Sequence, residues 1–437
     1  MIGEVLDSLN GLFRVVTRTP TLDGSVPLRV ARACVPLLEG NAYGLQLVLA
    51  RPLLVTRRLG RWRAAWSDGG EAIERQHAGA WPRLREEGFL PRGSGWLGTL
   101  EGPLVRPRPG GLRIFTGLLV RPEQGVWMRL SSAANRRNTL FEVKEQLVAD
   151  DGAWVPIVLD LELRADAPAA FRLEGELACL GALRPGVRIA SLAIADAPDL
   201  ARAHAAFYDR AYFEEKKEEV TGKYRRVVAG ETAVPAENTT AAAACRVASI
   251  GPRAHDVEAL DRFTTAAGPD PEPRPHDERR LESIVFRNAL AFSGLFDGHT
   301  LALEYDRARL DERASGVRAA FRAAMGADAG LEHPGSELYL TKYFTPHPPG
   351  EPHFFVKPWA LLATSPGWSS LVEGLHGDGY DVMRGIVSTD VFHATPAVFR
   401  VHVQGRRFEV PEGAPLLRVI PVPRALLAHE FRLRTLG

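Results

Sequence analysis

Between positions 26 and 195 the apolar residues come in short runs of strand length, each closed by proline or glycine, and this punctuation restricts the chain to sheets more than any other feature does. Leu45 to Leu49, Ile114 to Val120 and Val126 to Leu130 are such runs. In Val155 to Leu163 the side chains of Ile157, Leu159, Leu161 and Leu163 recur at every second position, the period of a strand with one buried face. The breaks fall at Pro107-Arg108-Pro109-Gly110-Gly111, at Arg121-Pro122 and at Arg184-Pro185-Gly186. The longest apolar runs stop well short of the roughly 20 residues that a membrane-spanning helix needs.

A chain of 437 residues is too long for one ordinary core, so two or three domains are expected. With 45% hydrophobic and 24% charged residues, large cores can be buried. A formal net charge of +1 gives no bulk attraction to nucleic acid or to an anionic membrane, and neither is expected as a partner. The 3 cysteines, Cys34, Cys179 and Cys245, form neither a disulfide framework nor a CxxC pair. Together with an N-terminus that lacks a basic start and a continuous apolar core, this points to a reducing, cytoplasmic setting. Arginine far outnumbers lysine, which reads as genomic base composition. The basic stretch Arg51 to Arg63, with Trp62 and Trp66, reads as a strand pair with a solvated face rather than a nucleic-acid patch.

Asp199 is placed to cap a helix through Ala201, Ala205, Phe207, Tyr208, Tyr212 and Phe213, and the charges of Glu214 to Glu219 fit its solvated face. Residues 229–280 read as a linker, small and polar over Thr239 to Ala244 and proline-rich over Pro269 to Pro275. A second helix is expected over Asp306 to Met325. The expected division is a β-rich domain at 1–198, a connecting helix at 199–228, the linker at 229–280 and a second β-rich domain at 281–437.

The two halves echo each other. Ile114-Phe115-Thr116-Gly117-Leu118-Leu119-Val120-Arg121-Pro122, followed by Gly125-Val126-Trp127, has the same plan as Phe354-Phe355-Val356-Lys357-Pro358-Trp359-Ala360-Leu361-Leu362, followed by Pro366-Gly367-Trp368. Each is an aromatic start, an aliphatic strand and a turn ending in Gly and Trp. The spacing near 240 residues suggests two related β-domains.

Lys357-Pro358-Trp359, Thr364-Ser365-Pro366-Gly367-Trp368-Ser369, Gly385-Ile386-Val387-Ser388-Thr389-Asp390, Pro411-Glu412-Gly413-Ala414-Pro415 and Ile420-Pro421-Val422-Pro423-Arg424 form an ordered series. The series resembles the DUF6065-like family of bacterial and phage β-proteins, and Cys34-Val35-Pro36-Leu37-Leu38 with Tyr43-Gly44 is similar to that family's opening. The resemblance covers some 200 residues and implies a fold without an activity. More distantly, the order of turns over Pro366-Gly367, Gly385 to Asp390 and Val410 to Ile420 resembles dUTPase-like β-clip barrels, which implies a nucleotide-binding alternative. Here Glu373-Gly374-Leu375 stands where those proteins carry Arg-Ser-Gly. The fold class expected is therefore mainly β (α+β), with two related β-barrel or β-clip-like domains joined by a helix and an Ala/Pro-rich linker.

Histidines crowd the C-terminal part: of 12, ten follow position 250. Imidazole is the usual ligand of iron, zinc and copper. His347 and His353 flank a tight turn with Glu351, and His376-Gly377-Asp378 has the spacing that opens a two-His, one-carboxylate site, with His429 as a conceivable third ligand. His347, Glu351, His353, His376 and Asp378 are thus the candidate metal ligands, for iron or zinc, in a rival reading as a metal-dependent oxygenase. No nucleophile elbow, phosphate loop or GxGxxG marks another chemistry. Trp359, Trp368, Tyr380 and Arg424 are the candidate ligand-binding residues, with Trp368 expected to be partly exposed. The leading expectation is a binding or assembly protein on degenerate tandem β-domains, taking a small molecule or a protein and forming homo-oligomers through its sheet edges. Its functional surface is expected at the His347–His353 turn, the Thr364–Trp368 turn and the His376–Asp381 loop.

Overall fold

In a computed structural model the chain is described at residues 2–9, 11–17, 35–67, 71–90, 102–133, 135, 140–148, 152–214, 244–251, 254–260, 263–265, 268–269, 281–326, 340–346, 352–374, 377–395, 397–401, 405–427 and 431–436. Strands take up 53% and helices 20%, so the mainly β expectation holds. The first half carries β1 (Gly3–Asp7), β2 (Phe13–Thr17), β3 (Leu45–Arg58), β4 (Arg61–Trp66), β5 (Val105–Arg108), β6 (Gly111–Pro122), β7 (Trp127–Ser132), β8 (Phe141–Val143), β9 (Gln146–Val148), β10 (Val155–Leu163), β11 (Ala170–Leu183) and β12 (Arg188–Ala193). The second half carries β13 (Ala244–Ser249), β14 (His255–Leu260), β15 (Phe263–Thr265), β16 (Gly268–Pro269), β17 (Leu281–Arg287), β18 (Phe292–Phe296), β19 (Leu301–Tyr305), β20 (Phe344–Pro346), β21 (His353–Val356), β22 (Ala360–Thr364), β23 (Trp368–Gly374), β24 (Tyr380–Val382), β25 (Gly385–Val387), β26 (Ala397–Val401), β27 (Arg407–Val410), β28 (Pro415–Pro423) and β29 (Phe431–Thr435). The helices are α1 (Val35–Ala42), α2 (Glu71–Glu86), α3 (Pro198–Glu214), α4 (Arg307–Met325) and the single turn α5 (Arg424–Leu427).

The pairings of the two halves correspond over most of their strands; β15 and β16, which extend the first sheet beyond β9, have no counterpart beyond β25 among the described residues. The order β2-β3-β11-β7-β9 matches β14-β17-β28-β23-β25, antiparallel throughout. In the facing sheet, β5-β6-β10-β8 matches β20-β21-β26-β24. The β3–β4 hairpin before α2 matches the β18–β19 hairpin before α4. Trp127 and Trp368, and Gln146 and Gly385, open matching strands about 240 residues apart, as a tandem repeat requires. The one long strand β6 corresponds to β21 and β22 together. Its bulge at Gly117 (φ +75°) falls where Pro358 interrupts the second copy, since proline has no N–H for the ladder.

The terminal strands are exchanged. β12, which ends the first repeat, pairs in parallel with β13, which begins the second; β29, which ends the second, pairs in parallel with β1, which begins the first. Reciprocal exchange of this kind is the pattern of a twofold dimer, here within one chain. Leu6, Phe115 and Leu119 from one sheet meet Leu47, Met128 and Leu180 from the other in the first core, and Ile284, Val356, Phe399 and Val419 lie in the second. Tyr43, Trp127, Leu147, Leu183, Leu281, Leu371, Ile386, Ile420 and Val422 form a third cluster that joins the repeats.

Several expectations need correction. The described sheets pack as open sandwiches, and none closes into a barrel. β13 and β14 lie within the stretch read as linker, because Val247 and Ala248 find a core to enter. The run read as strands from 26 to 195 includes α1 and α2. In α2 the buried Ile73, His77, Ala80, Trp81 and Leu84 recur at helical spacing around an internal Pro82. The expected helix over Asp306 to Met325 is α4, capped by Asp306, whose carboxylate accepts from Arg309 N at 3.0 Å. The connecting helix starts at Pro198 and is described to Glu214.

Candidate functional site

The strands that join the repeats carry two kinds of residue on one face. Along β7, Met128 and Leu130 enter the first core, while Trp127, Arg129 and Ser131 take the alternate positions. The equivalent strand β23 sends Trp368 and Val372 into the second core and leaves Leu371 and Glu373 on the joining face. On β28, Ile420 and Val422 are apolar joiners and Arg418 shares their face; Leu147 and Glu145, and Ile386 and Arg384, repeat the arrangement. The joining face is thus apolar at one end and charged at the other.

The charged end borders an open cavity of about 330 Å³, lined among others by Arg129, Asn135, Glu145, Glu373, Arg384 and Arg418. Arg129 forms ion pairs with both Glu145 and Glu373. Arg384 Nη2 meets Glu373 Oε1 at 2.6 Å and donates to Ser131 Oγ at 2.9 Å. Arg418 Nη1 donates to Glu145 Oε2 at 2.9 Å. Asn135 clasps the Arg384 backbone, accepting from its N at 2.6 Å and donating to its O at 3.0 Å. Beside it, Arg400 binds Asp381 through two nitrogens and donates to Asn135 O at 3.0 Å. Every one of these ion pairs but Arg400–Asp381 crosses, or is tied to one that crosses, between the repeats.

Burial disfavours the charge on Glu373, but Arg129, Arg384 and Arg418 outweigh it and hold the carboxyl down at about 2. Burial likewise opposes the charge of Arg129, and Glu145 and Glu373 raise its pKa above the ordinary arginine value. Glu373 and Arg129 are thus held in their charged forms in a partly dry setting.

The residues singled out in the sequence fall elsewhere. His347, Glu351 and His376 lie outside the described residues. His353 is buried in β21, opposite Arg400 across the ladder, whereas Asp378 is exposed and pairs with Arg406 at 2.6 Å, so these two do not converge. Among the described residues no group of three or more His, Cys, Asp or Glu side chains is placed to hold a metal ion. Trp359 is core, with its indole N–H donated to Leu340 O at 2.8 Å. Trp368, expected to be partly exposed, is 3% exposed because the turn before it carries the chain from one sheet to the other across the core. Tyr380 packs on Phe399 and Phe408, 5.3 and 5.8 Å between ring centres. Arg424 binds Asp390, whose carboxylate also accepts from Gly367 N at 3.0 Å, so it braces the Thr364–Trp368 turn. Asp381, Glu373 and Gly374 do reach the cavity, from the edge of the surface that the sequence suggested. Arg129, Glu145 and Arg384 had one legible signal, a charge inside an otherwise apolar strand or at its start. Compared with known proteins, the chain matches no protein-family model and no curated protein sequence.

Proposed function

We propose that the protein is a binding protein, a single-chain counterpart of a twofold dimer that holds a small polar ligand in the cavity between its repeats. The observation that carries this reading is the cluster of Arg129, Glu145, Glu373, Arg384 and Arg418 around a cavity where equivalent strands meet. Taking such charges out of water costs several kcal/mol per ion, and well-packed apolar residues would join two sheets at least as stably. The apolar end of the same face shows that this sequence does join them that way. The volume suits a metabolite, being near the lower end of the usual 300–1,000 Å³ range. The test is native mass spectrometry of the protein purified without denaturation, beside the cavity-filling variant Ala133→Phe. A small molecule retained by the natural protein and lost from the variant supports the reading. Equal, ligand-free masses, together with no thermal stabilisation by a panel of neutral, cationic and anionic metabolites, overturn it.

A further inference from the structure

Resting on that reading, we infer that the ligand presents a single anionic head, a carboxylate or a phosphate, to Arg384 and Arg418. In the inner part of the cavity three guanidiniums, Arg129, Arg384 and Arg418, face two carboxylates, Glu145 and Glu373. The third nearby carboxylate, Asp381, is already bound through both oxygens to Arg400. The positive excess has a place: Arg384 Nη1 and Arg418 Nε are buried without a hydrogen-bond acceptor, although the Arg384 side chain is only 8% exposed. A buried donor left unsatisfied costs about 1–3 kcal/mol, more when charged, so such atoms in a ligand-sized cavity mark where an acceptor belongs. Guanidinium N–H groups in a fixed planar fork match the oxygens of carboxylate or phosphate. Lys144, also at the cavity wall, adds a further cation.

The outer wall sets the limit on charge. Glu142 and Glu162 stand directly opposite each other on β8 and β10, both exposed, and neither has an ion-pair partner among the described residues. Two carboxylates at the rim repel further negative charge, so polyanions, nucleoside triphosphates included, are disfavoured while a single anionic head can pass to the arginines.

The experiment is titration of the full-length protein with acetate, inorganic phosphate and ATP at constant ionic strength, read by melting temperature and calorimetry. Arg418→Gln and Lys144→Gln are run in parallel; the partly exposed Arg418 is chosen because its loss leaves Glu145 paired with Arg129. Saturable stabilisation by acetate or by phosphate, at least tenfold weaker in Arg418→Gln and undetectable for ATP at equal concentration, supports the inference. Whichever of acetate and phosphate binds more tightly identifies the head. Stabilisation unaltered by Arg418→Gln, tightest binding by ATP, or no saturable effect of either small anion overturns it. If a co-purifying molecule is lost from Ala133→Phe but retained by Arg418→Gln, the anionic head is refuted and the cavity reading stands. If neither variant nor any probe has an effect, both fail.

Discussion

Arg129 stands at the centre of the molecule's electrostatics, since carboxylates from both repeats, the buried Glu373 and the half-buried Glu145, rely on it. Removing one partner of a buried pair leaves uncompensated charge, so Arg129→Ala is expected to cost about 3–5 kcal/mol in urea unfolding. Glu373 sets the acid limit. Its carboxyl is held at about 2 against an ordinary 4.5, so its contribution is complete above 4.5 and is lost as the pH falls toward 2. Glu39 on α1 acts in the opposite sense: burial raises its pKa to about 7, with Arg424 opposing. The folded state then holds a proton that the unfolded state releases, so stability declines as the pH rises from 4.5 through 7, by up to about 1.4 kcal/mol per pH unit. Glu39→Gln is expected to flatten that decline in unfolding curves collected from pH 4.5 to 8; an unchanged slope counts against the buried placement of Glu39. None of these roles is readable from the residues alone, because a glutamate in a strand looks the same whether it faces water or three guanidiniums.

At the scale of elements, the strands and their turns were legible and two helices were not. Pro and Gly mark the ends of β6 and the start of β23, and the aromatic–aliphatic plan of both copies was visible. The helix α2 was obscured by Pro82 and by the surrounding strand pattern, though its apolar spacing is helical. Gly117 is the element-scale test. Its φ of +75° and the closeness of Leu9, 2.4 Å from where a Cβ would sit, require glycine at the bulge of β6. Gly117→Ala is expected to destabilise by about 1–3 kcal/mol in chemical denaturation, whereas alanine at Gly110, which has the same sign of φ but open space, pays only the backbone strain and costs less.

At the scale of the whole molecule, strand exchange makes each repeat depend on the other. Removing residues 431–437 strips β29 from β1, so amide exchange at Gly3 to Asp7, at the opposite end of the chain, is expected to accelerate at least tenfold. A protease site inserted between residues 215 and 243 should, once cut, leave the two fragments co-eluting in native size exclusion, because β12–β13, β29–β1 and the joining apolar cluster hold them. Separation of the fragments without denaturant would contradict the exchanged arrangement.

The sequence by itself determined that this is a β protein, that its plan occurs twice at a spacing near 240 residues, and where α4 begins. Those are local matters: period-two alternation, proline and glycine breaks and an Ala- and Arg-rich stretch act over a few residues. The tertiary structure decided the rest. A repeated sequence offers each terminal strand two equivalent edges, its own repeat's or the other's, and only the closure of the packed chain selects the exchanged one. The same applies to the site. Arg129, Glu145, Glu373, Arg384 and Arg418 come from separate strands in both repeats, and they became one charged cavity only when β7 and β9 met β23, β25 and β28 across the joining face. His353 and Asp378, both singled out in the sequence for their spacing, show the same limit: one is buried in β21 and the other is exposed, which spacing along the chain does not reveal.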